Sequence, residues 1–424
     1  MAAYGAASVL RDAGVDYRCF DRNPYPGGHT ASFALDSGFI FDDGPHVSFT
    51  KDERIQELLA RNVDGQFETV AAHVNNLWRG HWIRHPAQLN LHGLPTDLVV
   101  QVISDFVEVR SQPEPAVTNY AEWLVASYGR TFAETFPMQY GRKYHTTTAD
   151  TMTTDWLGPR MYRPSLEEML RGAVAPQTHN VHYVTSFRYP SRGGFAAYLR
   201  PFFTDPAIAL HHDVTQVDPT RRTISFSNGV TVGYRQLVSS VPLPDLVQRI
   251  IGVPDDVRAA ATRLAFTTAV MVNVGVARDD LSEAHISYFY DDEIVFPRAT
   301  FPHLLSPGNV PDGAGSIQVE LYFSDKYKPL DRPPEAHIPA VLDGLRLAGI
   351  LREDDRLLCT EARTARYANV IFDHDRAAAL ATVHGYLDDV GIAYCGRYGD
   401  WDHAWTDESF LSGERAAIRV LDRH

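Results

Sequence analysis

The sequence has few cysteines, no long apolar run and no excess of basic residues. Its three cysteines (Cys19, Cys359 and Cys395) are far apart and lack the spacing of a metal site or a redox pair, which is typical of a reduced, cytoplasmic protein. No apolar stretch approaches the roughly 18 residues of a membrane span, and the first residues do not follow a signal-peptide pattern. The net charge of −14 argues against general binding to nucleic acid or to an anionic membrane. We expect a cytoplasmic protein whose partner is a small molecule.

Several catalytic patterns are also missing. The chain has 18 histidines, but none of them show the spacing of a zincin or zinc-finger site, so we expect no metal site. There is no Gly-x-Ser-x-Gly elbow and no pair of carboxylates that stands out from the background. With 424 residues and a hydrophobic share of 44%, the chain is long enough for two or three domains with substantial cores.

What is present near the start resembles part of a nucleotide-binding unit. Residues 17–20 read as a short strand that ends on Asp21, and the adjacent Gly27 and Gly28 follow it. In such units an acid at the end of the second strand holds a ribose, and a Gly-Gly turn lets the main chain approach the cofactor. Asp21 lies 18 positions after Ala3, close to the usual spacing between the last glycine of a dinucleotide fingerprint and its acid.

The first strand of that unit and the first two glycines of its fingerprint are absent before Met1. Either the start is truncated or the protein has lost part of its pyrophosphate cradle. The sequence leaves both alternatives open.

Periodicity predicts how the rest of the chain is organised. A helix is predicted at 51–59, two strands within 73–86, and a helical stretch from 94 in which Asn119 caps a further helix. A strand is predicted at 182–184, a hairpin turns at 228–229, a helix spans 335–347, and a last strand at 392–396 precedes a closing helix at 409–421.

These elements predict an α/β protein in which a discontinuous Rossmann-like cofactor-binding domain, an FAD-binding domain if the resemblance described below holds, carries an inserted helical domain and an inserted antiparallel-sheet substrate domain. The predicted cofactor-binding domain comprises residues 1–50, 200–260 and 380–424. The helical insertion covers 92–180, and the sheet domain combines 51–91, 181–199 and 261–379.

Candidate ligand contacts lie in loops. A Gly-rich loop from 396 leads to a helix with Ser412, where free amides could meet a phosphate; a plain strand-to-helix connection is the alternative. Arginine forks suit phosphate oxygens, and Arg160, Arg298 and Arg397 lie at such positions, but most arginines are solvated or structural. His46 follows the rigid turn at 44–45 and would place a polar group beside a cofactor ring, with Phe49 stacking nearby; a capped surface histidine is the alternative.

An ordered set of motifs runs through most of the chain: Asp21 with Gly27 and Gly28, then residues 44–49, 82–86, 156–160, 189–194, 297–301 and 396–401. As a set it resembles UDP-galactopyranose mutases of the eukaryotic type. It resembles more loosely the wider group of FAD enzymes that contains protoporphyrinogen oxidases and amine oxidases.

The resemblance implies FAD as cofactor and assigns roles to individual residues. It implies that the flavin must be reduced, for which NAD(P)H is a candidate reductant, and that a flavin nitrogen attacks the anomeric carbon while UDP leaves. The cofactor contacts that it implies are Asp21 at the adenosine ribose, Val214 at the adenine, Gly193, Gly194 and Arg397 near the flavin, and His46 and Phe49 beside its ring system. Arg160 and Arg298 correspond to arginines that grip the diphosphate of the sugar nucleotide.

The sequence differs from the mutases at several positions that bind the substrate. Asn369 and His403 lie near the positions of two tyrosines that hold the diphosphate, and His145 lies near that of a tryptophan. Three hypotheses follow: a mutase-like enzyme acting on a nucleotide-linked sugar, an FAD oxidoreductase of the amine oxidase or protoporphyrinogen oxidase type, and a flavin-free binding protein on the same scaffold. The oligomeric state stays open, and a homo-oligomer is compatible with the sequence.

Overall fold

The computed structural model describes residues 1–158, 161–176 and 184–422. Its helices are α1 (Ala2–Asp12), α2 (Glu53–Asn62), α3 (Thr96–Ser111), α4 (Tyr120–Tyr128), α5 (Arg130–Thr135), α6 (Pro137–His145), α7 (Leu166–Val174), α8 (Arg200–Phe203), α9 (Leu243–Arg249), α10 (Asp255–Arg263), α11 (Pro302–Leu305), α12 (Ile338–Leu347), α13 (Arg376–Asp389) and α14 (Thr406–Leu421). Within the described ranges, no helix combines the length and the apolar character that a membrane span needs.

The strands fall into one large sheet and several small ones. They are β1 (Cys19–Phe20), β2 (Ser32–Ala34), β3 (Ile40–Asp42), β4 (Phe67–Ala71), β5 (Val74–Trp78), β6 (His81–Arg84), β7 (Ser186–Pro190), β8 (Ile208–Ala209), β9 (Val214–Asp218), β10 (Thr223–Phe226), β11 (Thr231–Gly233), β12 (Leu237–Ser239), β13 (Phe266–Val276), β14 (Ile286–Phe289), β15 (Arg298–Thr300), β16 (Gly315–Phe323), β17 (Leu357–Val370) and β18 (Ile392–Tyr394).

A parallel α/β unit is built from the beginning, middle and end of the chain. Strand β1 pairs in parallel with β8, and β12 pairs in parallel with β18. Helix α1 lies against α14, and glycines permit this close approach: a Cβ on Gly413 would lie 1.9 Å from the carbonyl oxygen of Ala2. Asp21 directly follows β1. The α/β class and the recurrence of nucleotide-type elements along the chain are therefore confirmed.

The largest sheet has seven strands in the order β17-β13-β16-β15-β14-β5-β6, and its ladders are antiparallel except for β14 with β5. Every residue of β13 and β16 is buried, so both faces of the sheet centre are covered. Since side chains alternate between faces, Val270 packs with Val341 of α12, whereas Ala269 and Met271 cluster with Tyr144 of α6. The second face carries the candidate site.

A helical layer made of α3 to α7 covers that second face. The side chain of Asn119 accepts a hydrogen bond from the Glu122 amide and caps α4, as the sequence predicts. Four buried residues at four-residue spacing (Leu124, Tyr128, Phe132 and Phe136) form the centre of its core. The helical character of the predicted insertion is confirmed for its described part; residues 159–160 and 177–180 lie outside it.

The ends of several elements differ from the sequence predictions. Helix α2 begins at Glu53 rather than at residue 51, because the Asp52 side chain caps it by accepting from the Ile55 amide. Helix α14 begins three residues earlier than predicted, since Glu408 folds back onto the Trp405 amide at 2.7 Å. The hairpin at 228–229 is confirmed. Of the strand predicted at 182–184, residues 182 and 183 lie outside the described residues.

Residues 53–71, predicted as part of the sheet domain, pack mainly with the parallel unit. Ile55 and Leu59 of α2 share a core with Tyr4 of α1 and Phe410 of α14. Strand β4 pairs with β7 in a separate two-stranded sheet. From residues 51–91 it is β5 and β6 that join the seven-stranded sheet. The division of the chain into domains stays a prediction, and this packing places α2 and β4 beside the parallel unit.

Candidate functional site

A cavity of about 770 Å³ lies between the helical layer and the seven-stranded sheet. Its wall is rich in aromatic side chains, and its charged and polar members include Arg298, Arg397, His145 and His403. The aromatic members are Tyr120, Trp123, Tyr128, Phe132, Phe136, Tyr140, Tyr144, Trp156, Tyr162, Tyr288, Tyr290 and Trp405. A third arginine, Arg163, also lines the cavity, and flat rings together with arginines suit a ligand that has both planar and anionic parts.

Arg298 is held by a carboxylate. It begins β15 and is the register partner of Glu320 on β16, so that its Nε donates to Glu320 Oε2 at 2.5 Å. Its Nη2 donates to the hydroxyl of Tyr322, which in turn donates to Glu320 Oε1. Burial opposes the charge of Arg298, but Glu320 and the surrounding tyrosines raise its pKa well above the usual value. Arg298 is therefore charged, and its charge is balanced locally.

Arg397 is held by neutral groups instead. Its Nη2 donates to Asn369 Oδ1 at 3.2 Å and to His403 Nδ1 at 3.3 Å. The hydroxyl of Tyr144 also donates to Asn369 Oδ1. Among the described residues, no carboxylate lies within ion-pair distance of Arg397, and its buried Nε has no hydrogen-bond acceptor. Among the described arginines that line the cavity, Arg298 is paired with Glu320 and Arg163 with Glu114, so the positive charge without a described carboxylate partner is that of Arg397.

His145 ends α6 and lies in the cavity wall between aromatic rings. It is 4% exposed, and its ring centroid lies 5.2 Å from that of Trp156 and 6.4 Å from that of His403. Burial lowers the pKa of His145 to about 3, so the ring is neutral at pH 7. Its Nδ1 is buried without a hydrogen-bond partner in the described part of the chain.

His46 lies on the same side of the protein as Arg298 and Arg397. Gly44, which begins the turn before His46, has φ +99°, and a Cβ there would lie 4.0 Å from Glu320 Oε1. The turn therefore lies next to the ion pair of Arg298 and Glu320. Burial lowers the pKa of His46 to about 4, and nearby Arg397 contributes. The Nδ1 of His46 donates to the Gly44 carbonyl at 2.8 Å, which leaves Nε2 as an acceptor.

The loop with Gly193 and Gly194 is fixed by a buried acid that sequence reasoning missed. Gly194 has φ +70°, and a Cβ there would lie 2.3 Å from Ser32 Oγ. Asp42 accepts from Ser32 Oγ at 2.6 Å, from the Phe195 amide at 3.0 Å and from Tyr189 Oη at 2.7 Å. Burial raises the pKa of Asp42 to about 6. The loop is thereby tied to β3 and β7.

The predicted FAD contacts in the parallel unit have a geometry that suits the cofactor. Asp21 accepts from the Asn23 amide through Oδ1, and burial raises its pKa. Gly27 and Gly28 have φ +107° and +55°, and a Cβ on Gly28 would meet no atom within 4 Å, so there is room beside the main chain. The side chain of the next residue, His29, reaches Asp43 at 3.2 Å and connects this turn with the His46 region. An acid after β1 and an open glycine turn are the groups that an adenosine ribose and a pyrophosphate require.

Two further predicted cofactor residues lie away from the aromatic cavity. Val214 lines a second cavity of about 800 Å³ together with Phe20 and Val238. The Ser412 hydroxyl is buried; it accepts from the Gly396 amide at 2.8 Å and donates to Asp400. Ser412 thus ties α14 to the Gly-rich loop.

The predicted substrate residues are only partly brought together. Arg298 and His403 line the cavity, whereas Asn369 is buried and supports Arg397 and Tyr144. Phe49 packs edge-on against Trp405, which lines the cavity. Arg160 lies outside the described residues.

Glu320 and Tyr322 were missed, although they leave a signal in the sequence. Gln318, Glu320 and Tyr322 occupy alternate positions of β16 between apolar residues, and this period of two places all three on one face. Polar side chains on the inner face of a buried strand need partners, which is the signal that could have indicated a site.

Solved structures with the same fold include enzymes of several kinds. The structure of a reduced UDP-galactopyranose mutase matches with a TM-score of 0.92 and 25% identity over 99% of this chain and 93% of that chain. Cyclohexylamine oxidase from Brevibacterium oxydans matches with a TM-score of 0.67 and 12% identity over 99% and 96% of the two chains. A fatty acid isomerase from P. acnes that produces CLA matches with a TM-score of 0.65 and 15% identity over 99% and 96%.

The sequence itself matches the family described as flavin containing amine oxidoreductase over residues 6–421. That match covers nearly the whole chain and agrees with the acid-ended strand, the open glycine turn and the parallel unit. This protein belongs to the family of flavin-containing amine oxidoreductases.

Proposed function

We propose that this protein is an FAD enzyme of the mutase type that interconverts the pyranose and furanose rings of a nucleotide-linked sugar. The observation that carries the proposal is the cavity in which aromatic side chains surround Arg298 and the unbalanced charge of Arg397. The likeness to a UDP-galactopyranose mutase over nearly the whole chain supports it. The proposed partner is a small molecule rather than nucleic acid or a membrane, and the proposed compartment is the cytoplasm.

The residues that would hold FAD are Asp21 at the ribose, Gly27 and Gly28 beside the pyrophosphate, and Gly193 with Gly194 beside the flavin. Reduced FAD, when bound, supplies nucleophilic chemistry at the anomeric carbon, and NAD(P)H is the proposed reductant. The buried contacts of Gly194 would keep its loop rigid and let the main chain lie close to the ring system.

The chain's own part in the reaction is to bind the sugar nucleotide and to stabilise the charge that develops on the departing diphosphate. Arg397 would attract it, and Arg298 would fix its orientation while Glu320 limits the attraction. Neutral His46 would accept a hydrogen bond through Nε2, from the flavin edge or from a sugar hydroxyl. Arg160 keeps its proposed role as a second diphosphate contact.

The second candidate function is an FAD oxidoreductase of the amine oxidase or protoporphyrinogen oxidase type. Two observations favour it: the cavity wall is rich in aromatic side chains, and the positive charge of Arg298 is balanced by the carboxylate of Glu320. An apolar, aromatic pocket would exclude water around the bond to be oxidised. The third candidate, a flavin-free binding protein, would require that the parallel unit does not retain FAD.

An absorption spectrum of the purified protein, recorded with and without added FAD, separates these candidates. A flavin spectrum, together with turnover of UDP-galactose or another sugar nucleotide only after reduction by dithionite, would support the mutase. Bleaching of the flavin by an amine and its recovery in air would refute the mutase and support the oxidase. Failure to retain flavin would leave the binding protein.

A further inference from the structure

We propose that Lys143 is a positioning residue that fixes two walls of the aromatic cavity against each other and thereby sets the affinity of the cavity for its ligand. Lys143 lies on α6 and does not itself line the cavity. The inference takes the cavity as the ligand site, and it applies to an anionic ligand and to an amine alike. It therefore goes beyond the proposed function.

The two walls come from separate parts of the chain. Helix α6 contributes Tyr140 and Tyr144, whereas β14 and the loop that follows it contribute Tyr288 and Tyr290. The rings of Tyr140 and Tyr288 meet edge to face, with centroids 5.3 Å apart. Arg298, which directly follows the same loop, lies over the ring of Tyr144 with its Cζ 5.8 Å from the centroid. A shift of α6 relative to this loop would change both contacts.

Lys143 joins the two walls through backbone acceptors. Its Nζ donates to the carbonyl oxygens of Phe289 at 3.2 Å and of Ile294 at 2.8 Å, and also to that of Asp291. The first of these carbonyls belongs to the residue between the two wall tyrosines of the loop. An ammonium group has three donors, so the three carbonyls can use all of them. These contacts, the Lys143 clasp, hold α6 against residues 289–294.

The clasp keeps a positive charge in a partly enclosed place. Burial lowers the pKa of the Lys143 ammonium group to about 8, so the group is still mostly charged at pH 7. The neighbouring acids Asp291, Asp292 and Glu293 favour the charge, and Arg142 opposes it. Lysines usually extend the ammonium group into water. An enclosed ammonium group with three backbone acceptors is suited instead to hold one arrangement of the elements around it.

A second link between α6 and the loop is too exposed to replace the clasp. Arg142 donates to Asp292 at 2.5 Å, but the two side chains are 49% and 67% exposed. Exposed ion pairs contribute little, because water and salt screen them. Without the Lys143 clasp, we expect the two walls to be in place in only a fraction of the molecules. The apparent affinity for a ligand falls by that fraction.

The test compares Lys143→Met and Lys143→Arg in flavin-loaded protein by calorimetric titration with UDP and, separately, with benzylamine. Lys143→Met keeps an unbranched apolar side chain but has no donor. We expect it to bind the ligand about tenfold more weakly, since one hydrogen bond to a charged group corresponds to roughly that factor. Lys143→Arg keeps the charge and several donors and should restore most of the affinity.

A role in stability alone would give a different result. Urea unfolding would then show a loss of stability in Lys143→Met, while the molecules that remain folded would bind the ligand with unchanged affinity. Unchanged affinity in Lys143→Met overturns the proposal. Equal affinity of Lys143→Met and Lys143→Arg overturns it as well, because the charge and the donors would then have no effect.

Arg142→Gln is the matched control. It removes the exposed link between the same helix and the same loop, and Arg142 does not line the cavity. We expect this variant to bind both ligands as the unaltered protein does. A tenfold loss of affinity in Arg142→Gln would show that any disturbance of α6 weakens binding, and it would overturn the assignment to Lys143.

Hydrogen exchange separates this inference from the proposed function, because it needs no ligand. In Lys143→Met the amides of residues 137–145 and 288–297 should exchange faster, whereas those of α12, on the opposite face of the sheet, should not. If UDP binds to no form of the protein but benzylamine does, the mutase function falls and the benzylamine affinities decide on the clasp. If neither ligand binds, both candidate functions fall, and unchanged exchange in either segment refutes the clasp. If UDP is bound equally by Lys143→Met and by the unaltered protein, the function stands and the clasp falls.

Discussion

The ion pair between Arg298 and Glu320 offers a substitution with two opposite effects. In Glu320→Gln the side chain keeps its size but loses its charge; its amide oxygen can still accept from Arg298 Nε, and its NH₂ group then faces the Tyr322 hydroxyl. The side chains of Glu320 and Arg298 are 6% and 19% exposed, so a largely buried cation is left without its counter-ion. Breaking a buried pair in this way costs about 3–5 kcal/mol. We expect the free energy of unfolding to fall by about 3 kcal/mol.

The same substitution should strengthen the binding of an anionic ligand. A negative charge roughly 8 Å from a bound anion costs about 2 kcal/mol at an effective dielectric constant of about 20, and the substitution removes it. Relaxation of Arg298 and penetration of water reduce this gain, so we expect UDP to bind about tenfold more tightly. Urea unfolding without ligand measures the first effect, and calorimetric titration with UDP measures the second.

Asp355→Asn provides the matched control. Asp355 holds Arg278 at 2.6 Å, and the two side chains are 6% and 16% exposed, nearly the same burial as in the site pair. Arg278 does not line the cavity. Arg278 keeps Asp280 as a second carboxylate at 2.9 Å, so the control should lose less stability than Glu320→Gln and should bind UDP normally. If Glu320→Gln binds UDP as tightly as the unaltered protein or more weakly, the reasoning that Glu320 quenches the charge of Arg298 is refuted.

Two other substitutions test the loop beside the proposed flavin position. The pKa of Asp42 is raised from 3.8 to about 6 by burial, so its contribution to stability is full below pH 4 and is lost as the pH rises through 6, by about 3 kcal/mol in total. Asp42→Asn should remove this dependence of the free energy of unfolding on pH, which urea unfolding between pH 4 and 7 measures. The same pH dependence in the variant would contradict the assignment. Gly194→Ala should lower both the unfolding temperature and the flavin content, because its Cβ would overlap Ser32 at a positive φ. Gly14→Ala, which has φ +68° and open space around it, should show only the smaller cost of the backbone strain.

The parts of the fold that local chemistry determines could be predicted from the sequence. The short strand that Asp21 follows and the helix cap that the Asn119 side chain forms each depend on a few neighbouring residues. Both are present in the structure. The packing of α2 could not be predicted in the same way. Its apolar face, with Ile55 and Leu59, would suit any apolar surface, and the choice of Tyr4 and Phe410 as partners depends on the tertiary arrangement.

Two of the arginines that the sequence singles out, Arg298 and Arg397, line the cavity, but their partners could not be predicted. Arg298 and Glu320 meet because β15 and β16 pair in one register, and a shift by one residue would turn Glu320 to the other face. The group around Arg397 combines Tyr144 from α6 with Asn369 from β17. No local pattern in the sequence connects these three positions, so the difference between a balanced and an unbalanced arginine appears only in the structure.

That difference bears on the choice between the two main candidate functions. An amine substrate is a cation at neutral pH, and in this cavity it would be repelled by Arg397, whose charge no described carboxylate balances. A diphosphate would be attracted to the same group, although the chain as a whole carries a net charge of −14. The aromatic wall is compatible with either ligand, since it suits a nucleoside as well as an apolar amine. The charge of Arg397 favours an anionic ligand over an amine, and it therefore supports the proposed mutase-type function against the amine oxidase alternative.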